Sequence, residues 1–243
     1  INGSVGKSES PPIDTPETYP WIGSCLGPIW GRVVNCSQSP LLTPLLVFDL
    51  DGTLVDTVGD IGLALNKALD NFSLPAMNRT DVINAIGDGV DDMLRRAVGP
   101  NSSVSISEFR AVYREHYHGQ TDANSRLFPE VDTVLKALIS DGYTLAVLTN
   151  KPELPARRGL GHFGIAEYFS IIAGPDTYQS TKPSPDGLLS IIQDRGIIPS
   201  RAVMIGDGDT DVRAGKAAGT FTISVTYGYR SESVLESYNP CLL

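Results

Sequence analysis

Two aspartates one residue apart, Asp49 and Asp51, stand at the end of the apolar run Leu45-Leu46-Val47-Phe48, and Gly52 and Thr53 follow at once. Such a run reads as a buried parallel strand. A carboxylate placed where a strand leaves the core is costly unless it is paired or bound to a metal. Two carboxylates this close also repel, so one calls for a cation while the other can hold a proton. The pair points to a hard metal ion and to acid/base or nucleophilic chemistry. Further polar groups fall at corresponding points of the chain. Thr149-Asn150-Lys151 follows the run Thr144–Leu148, and Gly206-Asp207-Gly208-Asp209-Thr210-Asp211 follows Ala202–Ile205. Lys182 stands in Thr181-Lys182-Pro183-Ser184-Pro185, ahead of a helical segment. Gly52 lets the backbone turn close to a ligand and leaves its N–H free to meet an anion. Several carboxylates could hold Mg²⁺. A lysine with hydroxyl and amide donors suits a phosphoryl dianion, and a carboxylate can attack it to form an aspartyl-phosphate.

The elements that must position these residues alternate. Ile61, Leu65, Ala68, Leu69 and Phe72 have helical spacing within 57–72. Further helical segments are expected over 81–86, 90–97 and 107–117, the last with Ser107 as N-cap. Almost nothing from 57 to 130 reads as strand. Beyond it, helices over 131–140, 185–194 and 210–218 are interleaved with strands over 144–148, 170–173, 202–205 and 221–225. That alternation predicts an α/β protein with a doubly wound parallel sheet. Ligands then bind beyond the carboxyl ends of the strands, where three strands deliver the polar groups named above. The division expected is an α/β core of 44–56 and 131–243, with an α-helical cap of 57–130 inserted in it. Residues 1–43 are rich in Ser, Pro and Gly without periodicity and read as a disordered extension, with Trp21 and Trp30 as residues that could pack.

Bulk properties exclude several classes. The 243 residues are 41% hydrophobic, enough for a real core, and their net charge of -9 argues against a nucleic-acid surface. No apolar stretch approaches the ~20 residues of a membrane span. Cys25, Cys36 and Cys241 lack metal-ligand spacing and form no disulfide framework. A Cys25–Cys36 bridge is disfavoured, and a reducing, cytoplasmic setting is expected. The extension fits neither a transit peptide nor a secretory signal. Ile1 in place of Met suits a fragment or a processed chain. Oligomeric state is left open.

Asp-Leu-Asp-Gly-Thr-Leu-Val-Asp at 49–56, Leu148-Thr149-Asn150-Lys151, Lys182-Pro183-Ser184-Pro185, and Gly206-Asp207 with Asp211 four residues on resemble, in order, the four signature motifs of the haloacid dehalogenase superfamily, in its phosphatase branch. The resemblance covers roughly 45–230. A second tier is similar to the phosphoglycolate phosphatase group: Ile86-Gly87-Asp88-Gly89 before Met93–Ala97, Tyr113-Arg114-Glu115-His116-Tyr117, Phe128-Pro129-Glu130-Val131, Thr149–Pro152 and Thr226-Tyr227-Gly228-Tyr229.

The resemblance implies a Rossmann-like core and a Mg²⁺-dependent phosphomonoesterase of carbohydrate metabolism. Its partner would be a small phosphorylated metabolite, 2-phosphoglycolate first among them. Asp49 would be the nucleophile and Asp51 the general acid and base. Mg²⁺ would be held by the Asp49 carboxylate, the Asp51 backbone carbonyl and the Asp207 carboxylate. Gly52, Thr149 and Asn150 would bind phosphate oxygens, Lys182 would balance charge, and Asp211 would orient the metal's surroundings or Lys182. Two departures stand out. Gly208 occupies a position where family members commonly carry serine, and the chain ends 14 residues after Tyr229, where they add a further strand and helix.

Rival readings share the core: a pyrophosphatase, a sugar-phosphate phosphatase, a β-phosphoglucomutase-like enzyme, or a catalytically silent binding protein that keeps the fold. A dehalogenase needs no acid/base at Asp51, and no cap lysine is evident as the imine former of a phosphonate hydrolase. Asp88, Asp91 and Asp92 read as a solvated helix face. Arg95 and Arg96 read as surface residues, and His116, His118 and His162 have no motif partners.

Overall fold

A computed structural model describes residues 44–119 and 123–243. The proposed extension of residues 1–43, with its tryptophans and the Cys25 and Cys36 pair, lies outside the described residues.

Strands β1 (Leu45–Phe48), β4 (Thr144–Leu148), β5 (Ile171–Ala173), β6 (Ala202–Gly206) and β7 (Phe221–Ser224) form one sheet in the order β5-β4-β1-β6-β7. Every pairing in it is parallel. The apolar runs explain this placement: all four residues of β1 and all five of β6 are buried, as strands covered on both faces must be. Phe48 is in register with Val147 on one side and Ile205 on the other. The first residues past β1, β4 and β6 therefore leave the sheet at the same edge. Leu45, Val47, Ala146, Leu148 and Met204 pack with Leu188, Ile191 and Ile192 in one core cluster. The last three belong to α8 (Asp186–Asp194).

Four helices lie between β2 (Val55–Asp56) and β3 (Arg126–Leu127): α1 (Val58–Asn71), α2 (Arg79–Ala85), α3 (Val90–Val98) and α4 (Ile106–His118). They build a second core from Ile61, Leu65 and Leu69 of α1, Met93 and Leu94 of α3, and the fully buried Phe109 of α4. β2 and β3 pair antiparallel, Val55 with Leu127 and Asp56 with Arg126, so both connections to the helices run side by side. That strand pair went unforeseen, because two residues carry no alternation to detect. Ser105, not Ser107, caps α4, and the two hydroxyls hydrogen-bond at 2.7 Å.

The second half contains α5 (Val131–Ser140), α6 (Glu153–His162), α7 (Pro175–Tyr178), α9 (Asp209–Ala218) and α10 (Glu232–Ser237). Sequence periodicity misses α6, whose Pro155, Gly159 and Gly161 lower its helix propensity. Burial of Ala156 and Leu160 outweighs that propensity, and a proline in the first turn breaks no helical hydrogen bond. At the C-terminus α10 is followed by a return to the sheet, where Ser224 N–H donates to the Leu242 carbonyl at 2.9 Å. The end thus adds a helix and a bridged edge beyond Tyr229. Among the described residues no helix is long and apolar enough to cross a membrane.

Candidate active site

β1 ends at Phe48, and the ladder continues one residue further, with Asp49 N–H donating to the Ile205 carbonyl at 2.8 Å. This fixes the Asp49 backbone against β6. Its Oδ1 accepts from Leu50 N–H at 2.7 Å and meets Lys182 Nζ at 2.8 Å. The chain then folds into a tight turn in which the N–H groups of Thr53, Leu54 and Val55 all converge on the Leu50 carbonyl.

Gly52 carries a φ of +89° at this turn, which favours glycine, and a Cβ there would collide with the Asp207 carboxylate. Its N–H, however, donates to the Val55 carbonyl at 2.9 Å. The N–H expected to be free for a phosphate oxygen is thus engaged within the turn. Gly52 acts by letting Asp207 approach.

Asp207 follows β6 and is fixed at both oxygens: Thr53 Oγ1 donates to Oδ1 at 3.0 Å and Tyr229 N–H to Oδ2 at 2.7 Å. Burial, and then the neighbouring Asp49, push its pKa up to about 6 against the hydrogen bonds that lower it. Asp211, in the first turn of α9, accepts from Lys182 Nζ at 2.6 Å and from Gly208 N–H at 2.9 Å. Gly208 leaves room for little more: a Cβ there would stand 3.1 Å from Asp211 Oδ2. Burial alone would lower the Lys182 pKa, but Asp211 and Asp49 outweigh it and raise it, so the buried ammonium stays charged. Burial likewise raises Asp211, with Lys182 pulling the other way.

One carboxylate oxygen each from Asp49, Asp207 and Asp211 lies within 4.8 Å of the others. Three carboxylates face a single buried lysine there, and an oxygen-rich, under-neutralised set of this kind can hold a hard divalent cation. Asp211 divides its two oxygens between that lysine and the Gly208 N–H, whereas Asp49 meets the lysine and the Leu50 N–H through Oδ1 alone, which suits Asp211 to orientation.

The Asp51 carboxylate has a different partner. Lys151 Nζ reaches its Oδ1 at 2.8 Å and Oδ2 at 3.2 Å. Burial would lower the Lys151 pKa, but Asp51, Tyr117 and their hydrogen bonds raise it well above its ordinary value. Thr149, buried at the end of β4, accepts from Lys151 N–H at 3.2 Å through a hydroxyl whose own hydrogen can still donate.

Asn150 follows Thr149 and is buried. Both hydrogens of its Nδ2 are engaged, by the Gly87 carbonyl at 2.8 Å and the Lys182 carbonyl at 2.9 Å, while Oδ1 accepts from Lys182 N–H at 2.8 Å. All three bonds of this amide are made within the protein. It ties the Lys182 loop to the loop before α3.

Asp49, Asp51, Thr149 and Lys151 face a cavity of about 440 Å³ whose opposite wall comes from the helices, including Met93, Tyr113 and Tyr117. The sequence profile of haloacid dehalogenase-like hydrolases matches residues 46–225, from β1 to beyond β7. The chain belongs to the haloacid dehalogenase-like hydrolase family.

Within that family it is similar to proteins named phosphoglycolate phosphatase. It is 37% identical to one from Aquifex aeolicus over 185 residues, which cover 76% of this chain and 85% of that protein. It is 35% identical to one from Haemophilus influenzae over 204 residues, covering 81% and 91% of the two. A crystal structure of a predicted phosphoglycolate phosphatase from Haemophilus somnus matches with a TM-score of 0.77 at 34% identity, over 82% of this chain and 92% of that one.

Several site residues escaped the sequence reading. Lys151 was visible beside Thr149 and Asn150, but nothing in its spacing marked it as the partner of Asp51. Thr53 and Tyr229, which fix Asp207, sit 154 and 22 residues from it along the chain. Asp91, read as solvated surface, lines the cavity and pairs with Arg110 at 2.6 Å. Arg95 pairs with Asp92 at 3.4 Å on an exposed face, and Arg96 pairs with Asp88.

Proposed function

We propose that this protein is a Mg²⁺-dependent phosphomonoesterase that hydrolyses 2-phosphoglycolate to glycolate and phosphate in the cytoplasm, through an aspartyl-phosphate on Asp49. One observation carries this reading. The two aspartates have separate partners, Lys182 for Asp49 and Lys151 for Asp51. Separate partners hold the two carboxylates in different places, so one can face phosphorus while the other faces the leaving oxygen.

An Asp49 oxygen attacks phosphorus, and the bond from phosphorus to the ester oxygen breaks. Asp51 gives its proton to the leaving oxygen, then takes one from the water that attacks the phospho-aspartate and frees Asp49 and phosphate. Lys182 holds Asp49 in position and offsets the charge of the phosphoryl oxygens, and the Thr149 hydroxyl donates to one of them. Asp49, Asp207 and the Asp51 backbone carbonyl would hold Mg²⁺, with Asp211 orienting Lys182. The bound ion would shield the negative charge between nucleophile and phosphate. Residues 57–130 act as the cap over the core of 44–56 and 131–243, choosing the ester and excluding water. The relatives' names support the substrate.

Phosphate release from purified protein with Mg²⁺ tests this, using 2-phosphoglycolate, pyrophosphate and a set of sugar phosphates. The expected outcome is a preference for 2-phosphoglycolate. Equal slow turnover of all of them would sink the substrate assignment, and no turnover of any would sink the phosphatase.

A further inference from the structure

We propose that Lys151 is the residue that selects the substrate, by binding a carboxylate one carbon away from the ester oxygen. The inference rests on the proposed function and specifies what its leaving group must carry.

Among the described residues the basic side chains on the cavity wall are Arg110, Arg114, His118 and Lys151. Arg110 is paired with Asp91 at 2.6 Å, and Arg114 stands on an exposed position of α4. Lys151 is buried, lines the cavity, and lies two residues from Thr149. The Tyr117 ring, 5.4 Å from its Nζ, holds the ammonium at the cavity wall.

Reach decides the matter. For Asp51 to protonate the leaving oxygen, that oxygen must come within hydrogen-bond distance of an Asp51 oxygen. Lys151 Nζ already touches both Asp51 oxygens, at 2.8 and 3.2 Å, so it stands one further hydrogen bond from the leaving oxygen. In 2-phosphoglycolate a carboxylate oxygen lies about 3 Å from the ester oxygen by ordinary bond lengths. When the ester oxygen meets Asp51, the carboxylate therefore meets Lys151. Asp51 takes two of the ammonium's three donors and the Tyr117 side chain the third, so the carboxylate replaces the longer Asp51 contact. A plain alkyl leaving group offers no acceptor to this ammonium, and one more methylene carries the carboxylate past it.

The test compares kcat and KM of the full chain with Mg²⁺ on three substrates. These are 2-phosphoglycolate, ethyl phosphate, and the homologue with one extra methylene before its carboxylate. Wild type should favour 2-phosphoglycolate over both, by roughly tenfold to a hundredfold, as for a hydrogen bond to a charged group. Lys151→Met should lose that preference, mainly through a raised KM for 2-phosphoglycolate, and Lys151→Arg should recover part of it. A Lys151→Met protein that loses the same factor on 2-phosphoglycolate and ethyl phosphate would overturn the inference while leaving the phosphatase reading intact. Wild type that prefers ethyl phosphate would overturn the substrate assignment itself. Should Lys151→Met not fold, the wild-type comparison still decides: equal rates with the longer homologue would refute a carboxylate read at this distance.

Discussion

Asn150 grips the Lys182 backbone from both sides, its amide nitrogen 2.9 Å from the Lys182 carbonyl and its amide oxygen 2.8 Å from the Lys182 N–H. The side chain of Lys182 meanwhile extends to Asp49 and Asp211. The position of the cation beside the nucleophile is therefore set by a residue on a different strand end.

Asn150→Ala should destabilise the protein by about 2–4 kcal/mol, because it strands a buried N–H and removes three hydrogen bonds. Its kcat should fall more than its KM changes, since the fault lies in placing Lys182. Urea unfolding and steady-state kinetics measure the two effects, and wild-type stability in the variant would refute the grip.

Asp49→Asn should lose at least about a thousandfold in kcat, as expected when a covalent nucleophile is removed. The amide can still accept from Leu50 N–H and keep the turn. Circular dichroism should match wild type, and retention of full rate would show that another group attacks phosphorus.

Removing Lys182 breaks a buried pair instead of deleting it whole. Lys182→Met should cost about 3–5 kcal/mol, leaving Asp211 and Asp49 without their cation. Adding Asp211→Asn should return part of the loss, because one uncompensated charge goes with it. A double-mutant cycle in denaturant reads this coupling, and additive losses would mean the two groups act independently.

The raised Asp207 pKa fixes the sign of a pH effect. In metal-free buffer its carboxyl titrates near 6 folded, above its ordinary 3.8. The stability it contributes is full below 3.8 and is lost as pH rises through about 6. Asp207→Asn lacks this titration, so its stability relative to wild type should rise from pH 4 to pH 7 by up to about 3 kcal/mol. Added Mg²⁺ should narrow the gap at neutral pH, because only wild type offers the carboxylate. Unfolding in chelator across this range checks it, and a gap independent of pH would contradict the assignment.

The sheet was legible because its strands are buried on both faces. Leu45–Phe48 and Ala202–Ile205 leave no alternative to a covered strand, and the polar residues after them fall on one edge once the strands run parallel. Partners were harder to see. The bond from Gly52 N–H to Val55 and the three bonds of the Asn150 amide depend on a turn and a loop crossing that no periodicity encodes. Lys151 and Asp51 lie 100 residues apart, and their pairing depends on β1 and β4 being neighbours in register. α6 was hidden because its propensity is poor and its stability comes from tertiary burial.

β1 is the middle strand, hydrogen-bonded to β4 and β6, and Asp49 is the first residue beyond it. Amides of such a strand exchange with solvent only when the whole domain opens. Fraying at β5 or β7 leaves the nucleophile's anchor untouched. Heating should therefore displace the Asp49 backbone only with loss of the entire sheet, and its amide should be among the last to exchange.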